Sequence, residues 1–249
     1  MKRSLKIVLS LVATLAIVTT AFLSVSAANH YQNTHTTTFF VHGYGSSYRA
    51  EQSMANYMVR HGASTSVVRA NVADDGSVTF EGRQAKNAKN PIVEVNYDAD
   101  HPRRDMNSYG TWLKNVIQAD AQKYGTTKVN LVGHSMGNIV ILNYLNDNLS
   151  DSSLPKLNHY VSLAGGIFPG YNQTDNLKQE LPSNVKVLNI YSNYRGGTDT
   201  RVPNKNSRNL RSVFKGRTHY REVELHGLTH SQIHESSKVD QLLINFLFK

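Results

Sequence analysis

The sequence predicts a single α/β domain with a mostly parallel central sheet and helices on both faces. Three observations favour this class. Short apolar or β-branched segments alternate with segments of helical periodicity from Thr37 onward. One apolar segment runs through a glycine-flanked serine directly into a helical pattern. The 249 residues suffice for one sizeable core, and no internal repeat or low-complexity tract divides them.

The first half of the chain contains four predicted strands, two of which form a hairpin, and two helices. Residues 37–41 are β-branched and aromatic, and they end at His42-Gly43-Tyr44-Gly45. A helical pattern over residues 47–61 stops before Gly62, a typical residue just past a helix end. In order, the further elements are strands 66–69 and 78–81 around the Asp74-Asp75-Gly76 turn, strand 92–97 and an amphipathic helix over 109–124.

The second half continues the alternation. Strand 129–132 leads through the serine motif into helix 138–149, and strand 157–164 ends at Gly165-Gly166. Strands 185–191 and 220–225 follow, and residues 236–248 have apolar residues at helical spacing. Since the first strand begins soon after the N-terminal segment, we expect a sheet with minimal N-terminal strands. Residues 165–184 are too few for a large lid.

The first 28 residues have the pattern of a secretory signal peptide. Lys2, Arg3 and Lys6 precede an apolar run from Ile7 to Leu23, and small residues follow at 24–28. We therefore expect residues 1–28 to be removed and 29–249 to form the single domain, secreted or at the cell surface. The alternative is an uncleaved membrane anchor, although about 17 apolar residues are at the short limit for spanning.

Composition narrows the functional classes. The formal net charge of +9 becomes +6 when three basic and no acidic residues leave with the first 28 residues. This charge favours a weak association with an anionic cell wall or membrane surface, whereas no dense basic cluster supports nucleic-acid binding. The chain has no cysteine, which excludes disulfides and thiol catalysis and suits a bacterial exported protein. We expect a monomer that needs no cofactor.

The stretch Gly133-His134-Ser135-Met136-Gly137 matches G-x-S-x-G between a strand and a helix. Such a turn holds the serine in a strained backbone conformation, and glycines two residues to either side avoid a clash where strand and helix pass closely. The helix N-terminus offers free N–H groups to a developing oxyanion. Ser135 is therefore the candidate nucleophile.

A serine nucleophile requires a base and an acid that orients it, in the chain order Ser, Asp or Glu, His for this kind of fold. The loop after strand 185–191 has one carboxylate, Asp199. Three histidines follow strand 220–225, of which His226 ends the strand and His234 falls in a helical pattern. His230, in the middle of the loop, is the predicted base.

Two further features bear on the site. The three histidines also stand at i, i+4 and i+8, a spacing that on one continuous helix would present a zinc site. Gly227 and the strand before it interrupt such a helix, so we predict no metal. The expected oxyanion donors are the backbone N–H groups of Met136, after the nucleophile, and Tyr44, in the first strand-to-helix loop. His42, at the end of that strand, is expected to brace the loop.

Together these segments resemble the alpha/beta hydrolases grouped as DUF915, which are described as cell-surface hydrolases of Gram-positive bacteria. The residues that carry the resemblance are 40–47, 133–137, 197–203 and 230–235. The resemblance implies an α/β-hydrolase fold, a triad of Ser135, Asp199 and His230, and a secreted or surface enzyme. The sequence departs from it at Asn138, where many relatives carry a second glycine, so packing at the serine turn needs examination.

The sequence thus predicts a serine hydrolase that cleaves an acyl bond, most simply a carboxylic ester of a small molecule or lipid, through a covalent acyl-enzyme. Two alternatives stay open. One is an amidase or peptidase that acts on cell-wall peptides. The other is a non-catalytic surface binding protein on a hydrolase scaffold.

Overall fold

The computed structural model describes residues 31–97 and 106–249. The predicted signal segment lies outside them. Eight strands form one sheet: β1 (Thr37–Val41), β2 (Val67–Val72), β3 (Val78–Glu81), β4 (Ile92–Tyr97), β5 (Lys128–His134), β6 (Lys156–Leu163), β7 (Lys186–Asn193) and β8 (His219–His226). The helices of the described ranges are α1 (Arg49–Arg60), α2 (Met106–Tyr124), α3 (Met136–Asn148), α4 (Asp175–Glu180), α5 (Asn204–Arg208), α6 (Arg211–Phe214), α7 (Gln232–Glu235) and α8 (Ser237–Phe248).

The strand order is β3-β2-β4-β1-β5-β6-β7-β8, and every neighbouring pair is parallel except β2 with β3. This confirms the predicted α/β-hydrolase fold. In the described part of the chain β1 is the first strand, and it lies inside the sheet between β4 and β5. The hairpin predicted around Gly76 fills the far edge, so the sheet reaches eight strands with no described strand before β1.

Each face of the sheet has its own hydrophobic cluster. One packs α2 and α3 against the sheet, with Trp112, Leu113, Ile141 and Leu145 among its buried members. The other packs α1 and α8, with Met54, Met58, Leu243 and Ile244 buried. Because both faces are covered, the central strands are buried over most of their length, and the first residues of β5, β6 and β7 are exposed. No helix within the described ranges combines the length and apolar character needed to cross a bilayer.

The predicted element bounds differ from the observed ones by a few residues. β1 and β4 have the predicted bounds, whereas β7 extends two residues further, to Asn193. The helix end at Gly62 also matches the prediction, since this glycine has a φ of 72° and its N–H donates to the carbonyl of Val59 at 3.0 Å. Parallel strands place the carboxyl ends of β1, β5, β7 and β8 at one edge of the sheet, and there the candidate site lies.

Candidate active site

Ser135 occupies a strained turn between β5 and α3. Its φ of 54° and ψ of −119° are unusual for a residue with a side chain. Its N–H donates to the carbonyl of Leu163, at the end of β6, at 3.0 Å. A strained backbone persists only where the surroundings hold it, and such strain clusters at functional sites. The geometry is that of a nucleophile elbow, as the motif predicts.

The glycines of the motif allow strand and helix to approach each other. A Cβ on Gly137 would lie 2.1 Å from the carbonyl oxygen of Val41, and one on Gly133 would lie 2.8 Å from the backbone of Gly137. Both distances are far shorter than a van der Waals contact, and the backbone at the end of β1 and the start of α3 could not shift without distorting the strand or the helix. The predicted reason for both glycines is confirmed.

Asn138 completes the elbow. It is fully buried, and its Nδ2 donates to the carbonyl oxygens of Gly133, Leu163 and Ser135 at 2.9, 3.2 and 3.3 Å. Its Oδ1 accepts a hydrogen bond from the hydroxyl of Tyr160 at 2.9 Å. The amide therefore ties the end of β5, the turn and the end of β6 together. The departure from the glycine of many relatives supplies a connection instead of disturbing the packing.

Asp199 and His230 form a buried pair. The two atoms Nδ1 of His230 and Oδ2 of Asp199 are 2.8 Å apart, and the residues are 6% and 1% exposed. Oδ1 of Asp199 accepts hydrogen bonds from the N–H groups of Arg201 and Val202 at 2.9 and 2.7 Å. Burial alone would raise the pKa of Asp199, but the hydrogen bonds from His230, Val202 and Arg201 outweigh it and hold that pKa below its usual value.

This pairing defines the chemistry open to His230. A carboxylate that accepts from Nδ1–H fixes the imidazole tautomer, so Nε2 carries the lone pair that a general base needs. The competing histidines have other positions: His226 is exposed and ends β8, and His234 lies in α7, both as predicted. The hydrogen bonds of the described residues give neither of them a carboxylate partner.

His134, the residue before the serine, links the elbow to the loop of His230. Its Nε2 lies 3.2 Å from the carbonyl oxygen of His230, so the ring donates an N–H there. The ring centroid of His134 is 4.8 Å from that of His230 and 4.5 Å from that of His234. Complete burial, together with the neighbouring histidines, lowers the pKa of His134 well below its usual value. His134 is thus a neutral side chain that supports the position of the His230 loop, and the motif alone did not indicate this role.

The first strand-to-helix loop lies against the nucleophile. A Cβ on Gly43 would be 3.1 Å from Cβ of Ser135 and 3.3 Å from Nδ1 of His134. His42 braces this loop as predicted: the N–H of Tyr97 donates to its Nε2 at 3.2 Å, and its Nδ1–H donates to the carbonyl of Gly43 at 2.8 Å. Burial lowers the pKa of His42, consistent with a neutral ring.

The predicted oxyanion donors are the N–H groups of Tyr44, in this loop, and of Met136, at the start of α3. In a trans peptide the C=O and the following N–H point in opposite directions, so the N–H of Tyr44 points away from the His42 ring that holds the carbonyl of Gly43. Met136 is the first residue of α3, where a backbone N–H has no partner within its own helix. Tyr44 itself is 61% exposed.

A metal centre finds no support within residues 31–97 and 106–249, where no three His, Cys, Asp or Glu side chains gather closely enough to hold an ion. His226, His230 and His234 are divided between a strand end, a loop and a short helix. The i, i+4, i+8 spacing of these histidines therefore does not place them on one helical face.

Comparison with known proteins identifies the family and supports the fold. The family model described as alpha/beta hydrolase of unknown function (DUF915) matches residues 26–175 and 168–249. A solved protein of Listeria innocua is 24% identical, with a TM-score of 0.76 over 85% of this chain and 93% of that one. A candidate cell-surface hydrolase of Lactobacillus plantarum is 16% identical, with a TM-score of 0.66 over 85% and 89%.

More distant structures share the fold alone. A carboxylesterase of Bacillus subtilis is 10% identical, with a TM-score of 0.51 over 87% of this chain and 85% of that one. Comparison with curated protein sequences finds no match.

Proposed function

The chain belongs to the DUF915 family of alpha/beta hydrolases of unknown function, and on that premise we propose that it is a serine hydrolase that cleaves a carboxylic ester through a covalent acyl-enzyme. The observation that carries the proposal is the buried 2.8 Å contact between Nδ1 of His230 and Oδ2 of Asp199, on a loop tied to the strained turn of Ser135. An imidazole oriented by a carboxylate, on a loop beside a strained serine turn, is the arrangement that acyl transfer uses.

The proposed reaction assigns one role to each of these residues. His230 Nε2 accepts the proton of the Ser135 hydroxyl as Oγ attacks the carbonyl carbon of the ester. The negative charge that develops on the carbonyl oxygen is stabilised by the N–H groups of Tyr44 and Met136. His230 then returns the proton to the departing alkoxide, which leaves an acyl group on Ser135.

Deacylation repeats the same steps with water. His230 removes a proton from the water molecule, the resulting hydroxide attacks the acyl-enzyme, and the proton passes back to Ser135. Throughout, Asp199 stays ionised, since its hydrogen bonds keep its pKa low, and it stabilises the imidazolium that forms twice in each cycle.

A panel of substrates tests the proposal. The wild-type protein and Ser135→Ala are assayed on p-nitrophenyl esters of two to twelve carbons and on the matching anilides, with the exposed Ser152→Ala as control. We expect hydrolysis of esters by the wild type and Ser152→Ala and none above background by Ser135→Ala. Faster cleavage of anilides would favour the amidase alternative, and turnover of neither class would favour a binding protein.

We also propose export to the cell surface or medium, supported by the basic, apolar and small-residue order of residues 1–28. Protein recovered from the culture of an expressing Gram-positive host should begin near Ala28 or Asn29. Recovery with an intact Met1 in the membrane fraction would show a retained anchor instead.

A further inference from the structure

A row of lysines lies at the edge of the sheet opposite the candidate active site. Lys128, Lys156 and Lys186 are the first residues of the adjacent parallel strands β5, β6 and β7. Lys128 pairs with Lys156, and Lys186 pairs with His159 on the same middle strand. We call the surface formed by the starts of β5 to β8 and the end of α8 the amino edge.

The three lysines form no ion pair with any described residue, and all three are exposed. With strands about 4.8 Å apart and a rise of about 3.3 Å per residue, their backbones are separated by roughly 5 to 12 Å. Like charges at that spacing repel, because the screening length at physiological salt is about 8 Å. Binding of an anionic partner would relieve this repulsion.

Two cavities open beside the row. The smaller, about 210 Å³, has Lys128, Lys186 and Lys249 in its lining. His159 also lines it; this residue is 6% exposed, and its Nε2 has no hydrogen-bond partner among the described residues. This cavity suits a compact anionic group such as a phosphodiester. The larger, about 440 Å³, has Lys156 and Asp151 among its polar residues. Its lining includes the apolar side chains of Val129, Leu145, Leu149, Leu154 and Leu157.

The combination favours an amphiphile over a wholly polar polymer, because an apolar cavity next to a lysine row complements both parts of a phospholipid.

We propose that the amino edge is a docking face for a bilayer containing anionic phospholipid. Lipid phosphates bind along the row of Lys128, Lys156 and Lys186, and the candidate active site, at the opposite edge, faces away from the membrane. A basic residue near an anionic membrane surface contributes roughly fivefold to binding, so three contribute on the order of 100-fold. The proposal does not depend on the reaction that the site performs.

Lysine labelling tests it on the full chain. The protein is mixed with vesicles of pure phosphatidylcholine or of phosphatidylcholine with 30% phosphatidylglycerol, and acetylation of each lysine is followed by mass spectrometry. We expect the acetylation rate of Lys128, Lys156 and Lys186 to fall at least about fivefold on the anionic vesicles only, and 0.5 M NaCl to reverse the change. The rates of Lys205 and Lys238, exposed near the other edge, should not change.

Two double variants with the same net charge distinguish an effect of the amino edge from an effect of overall charge. Lys128→Glu/Lys186→Glu should abolish the protection of Lys156, whereas Lys205→Glu/Lys238→Glu, with the same change in net charge, should keep it. Equal protection on both vesicles, protection of Lys205 and Lys238 instead, or equal loss in both variants would overturn the proposal. So would protection by soluble poly(glycerol phosphate) without any by anionic vesicles, which would identify a wall polymer as the partner.

Discussion

The side chain of Asn138 occupies the space into which a side chain at position 165 would project, next to the turn of Ser135. A Cβ on Gly165 would lie 2.1 Å from Nδ2 of Asn138, the atom that donates to three carbonyls of the elbow. The glycine after β6 is therefore required by the asparagine after the motif. The two positions are 27 residues apart in sequence, yet each restricts the other.

This relationship predicts a compensating pair. Gly165→Ala should destabilise the protein by about 1–3 kcal/mol, because the added methyl forces the Asn138 amide out of its hydrogen bonds. In an Asn138→Gly background the same change should cost much less, since the space is then open. Urea unfolding of the four proteins measures the coupling. Equal costs of Gly165→Ala in both backgrounds would show that the two residues are independent.

The three histidines of the last loop should differ sharply in their effect on ester turnover. His230→Ala should lower kcat by on the order of 10³-fold or more, comparable to Ser135→Ala, because it removes the base while the oxyanion donors remain. His226→Ala and His234→Ala serve as controls and should each lose far less, provided that circular dichroism shows them folded. Near-normal turnover by His230→Ala beside an inactive, folded His226→Ala or His234→Ala would move the base to that residue.

Asp199→Asn tests the orienting carboxylate. The amide removes the charge and favours the wrong imidazole tautomer, and the equivalent change in another serine hydrolase costs roughly 10⁴-fold in kcat. We expect a loss of that order in kcat with a smaller change in KM. Asp240→Asn is a control, since Asp240 is a buried aspartate outside the candidate site. A rise in KM with an unchanged kcat would assign Asp199 to substrate binding.

A buried acid pair away from the site predicts a pH dependence of stability. Burial raises the pKa of Glu94 to about 7, with Arg69 opposing the shift, and raises the pKa of Glu51 well above its usual value, with Glu94 adding to the shift. An acid whose pKa is higher in the folded than in the unfolded state makes folding less favourable as pH rises between the two values. The free energy of unfolding should thus fall between about pH 4.5 and pH 7.

Glu94→Gln should reduce that fall, because the amide does not ionise, whereas the exposed Glu180→Gln should leave it unchanged. Urea unfolding at pH 5 and pH 8 measures both differences. An equal fall in the wild type and Glu94→Gln would assign the pH dependence to other groups.

Local patterns predicted most of the fold. The β-branched run at 37–41 and the turn at Gly76 specify their elements within a few residues, because their periodicity and turn chemistry are local. Local sequence patterns did not predict that the β2–β3 hairpin lies at the edge of the sheet. That position depends on the pairing of β2 with β4, whose paired residues are 25 positions apart in the chain. Strand ends at β7 and β8 extended past the apolar runs because backbone pairing continues through Asn193 and His226.

The candidate site was predictable where position along the chain restricts the choice. Asp199 is the one carboxylate in its loop, and the structure brings it to His230. The supporting contacts of the site were not predictable. His134 donates to the backbone carbonyl of a residue 96 positions away. Asn138 accepts a hydrogen bond from Tyr160 and fills the space beside Gly165. The available signal was a polar residue, Asn138, directly before the apolar run 139–142, but its partners appear only in the folded chain.

Covalent labelling of Ser135 tests the central claim most directly. The wild-type protein is treated with a fluorophosphonate and its intact mass is measured, followed by mapping of the modified peptide. We predict one adduct per chain on Ser135, a much slower reaction for His230→Ala and none for Ser135→Ala. A folded wild-type protein that takes up no fluorophosphonate, or an adduct of equal stoichiometry on Ser135→Ala, would contradict the assignment of Ser135 as the nucleophile.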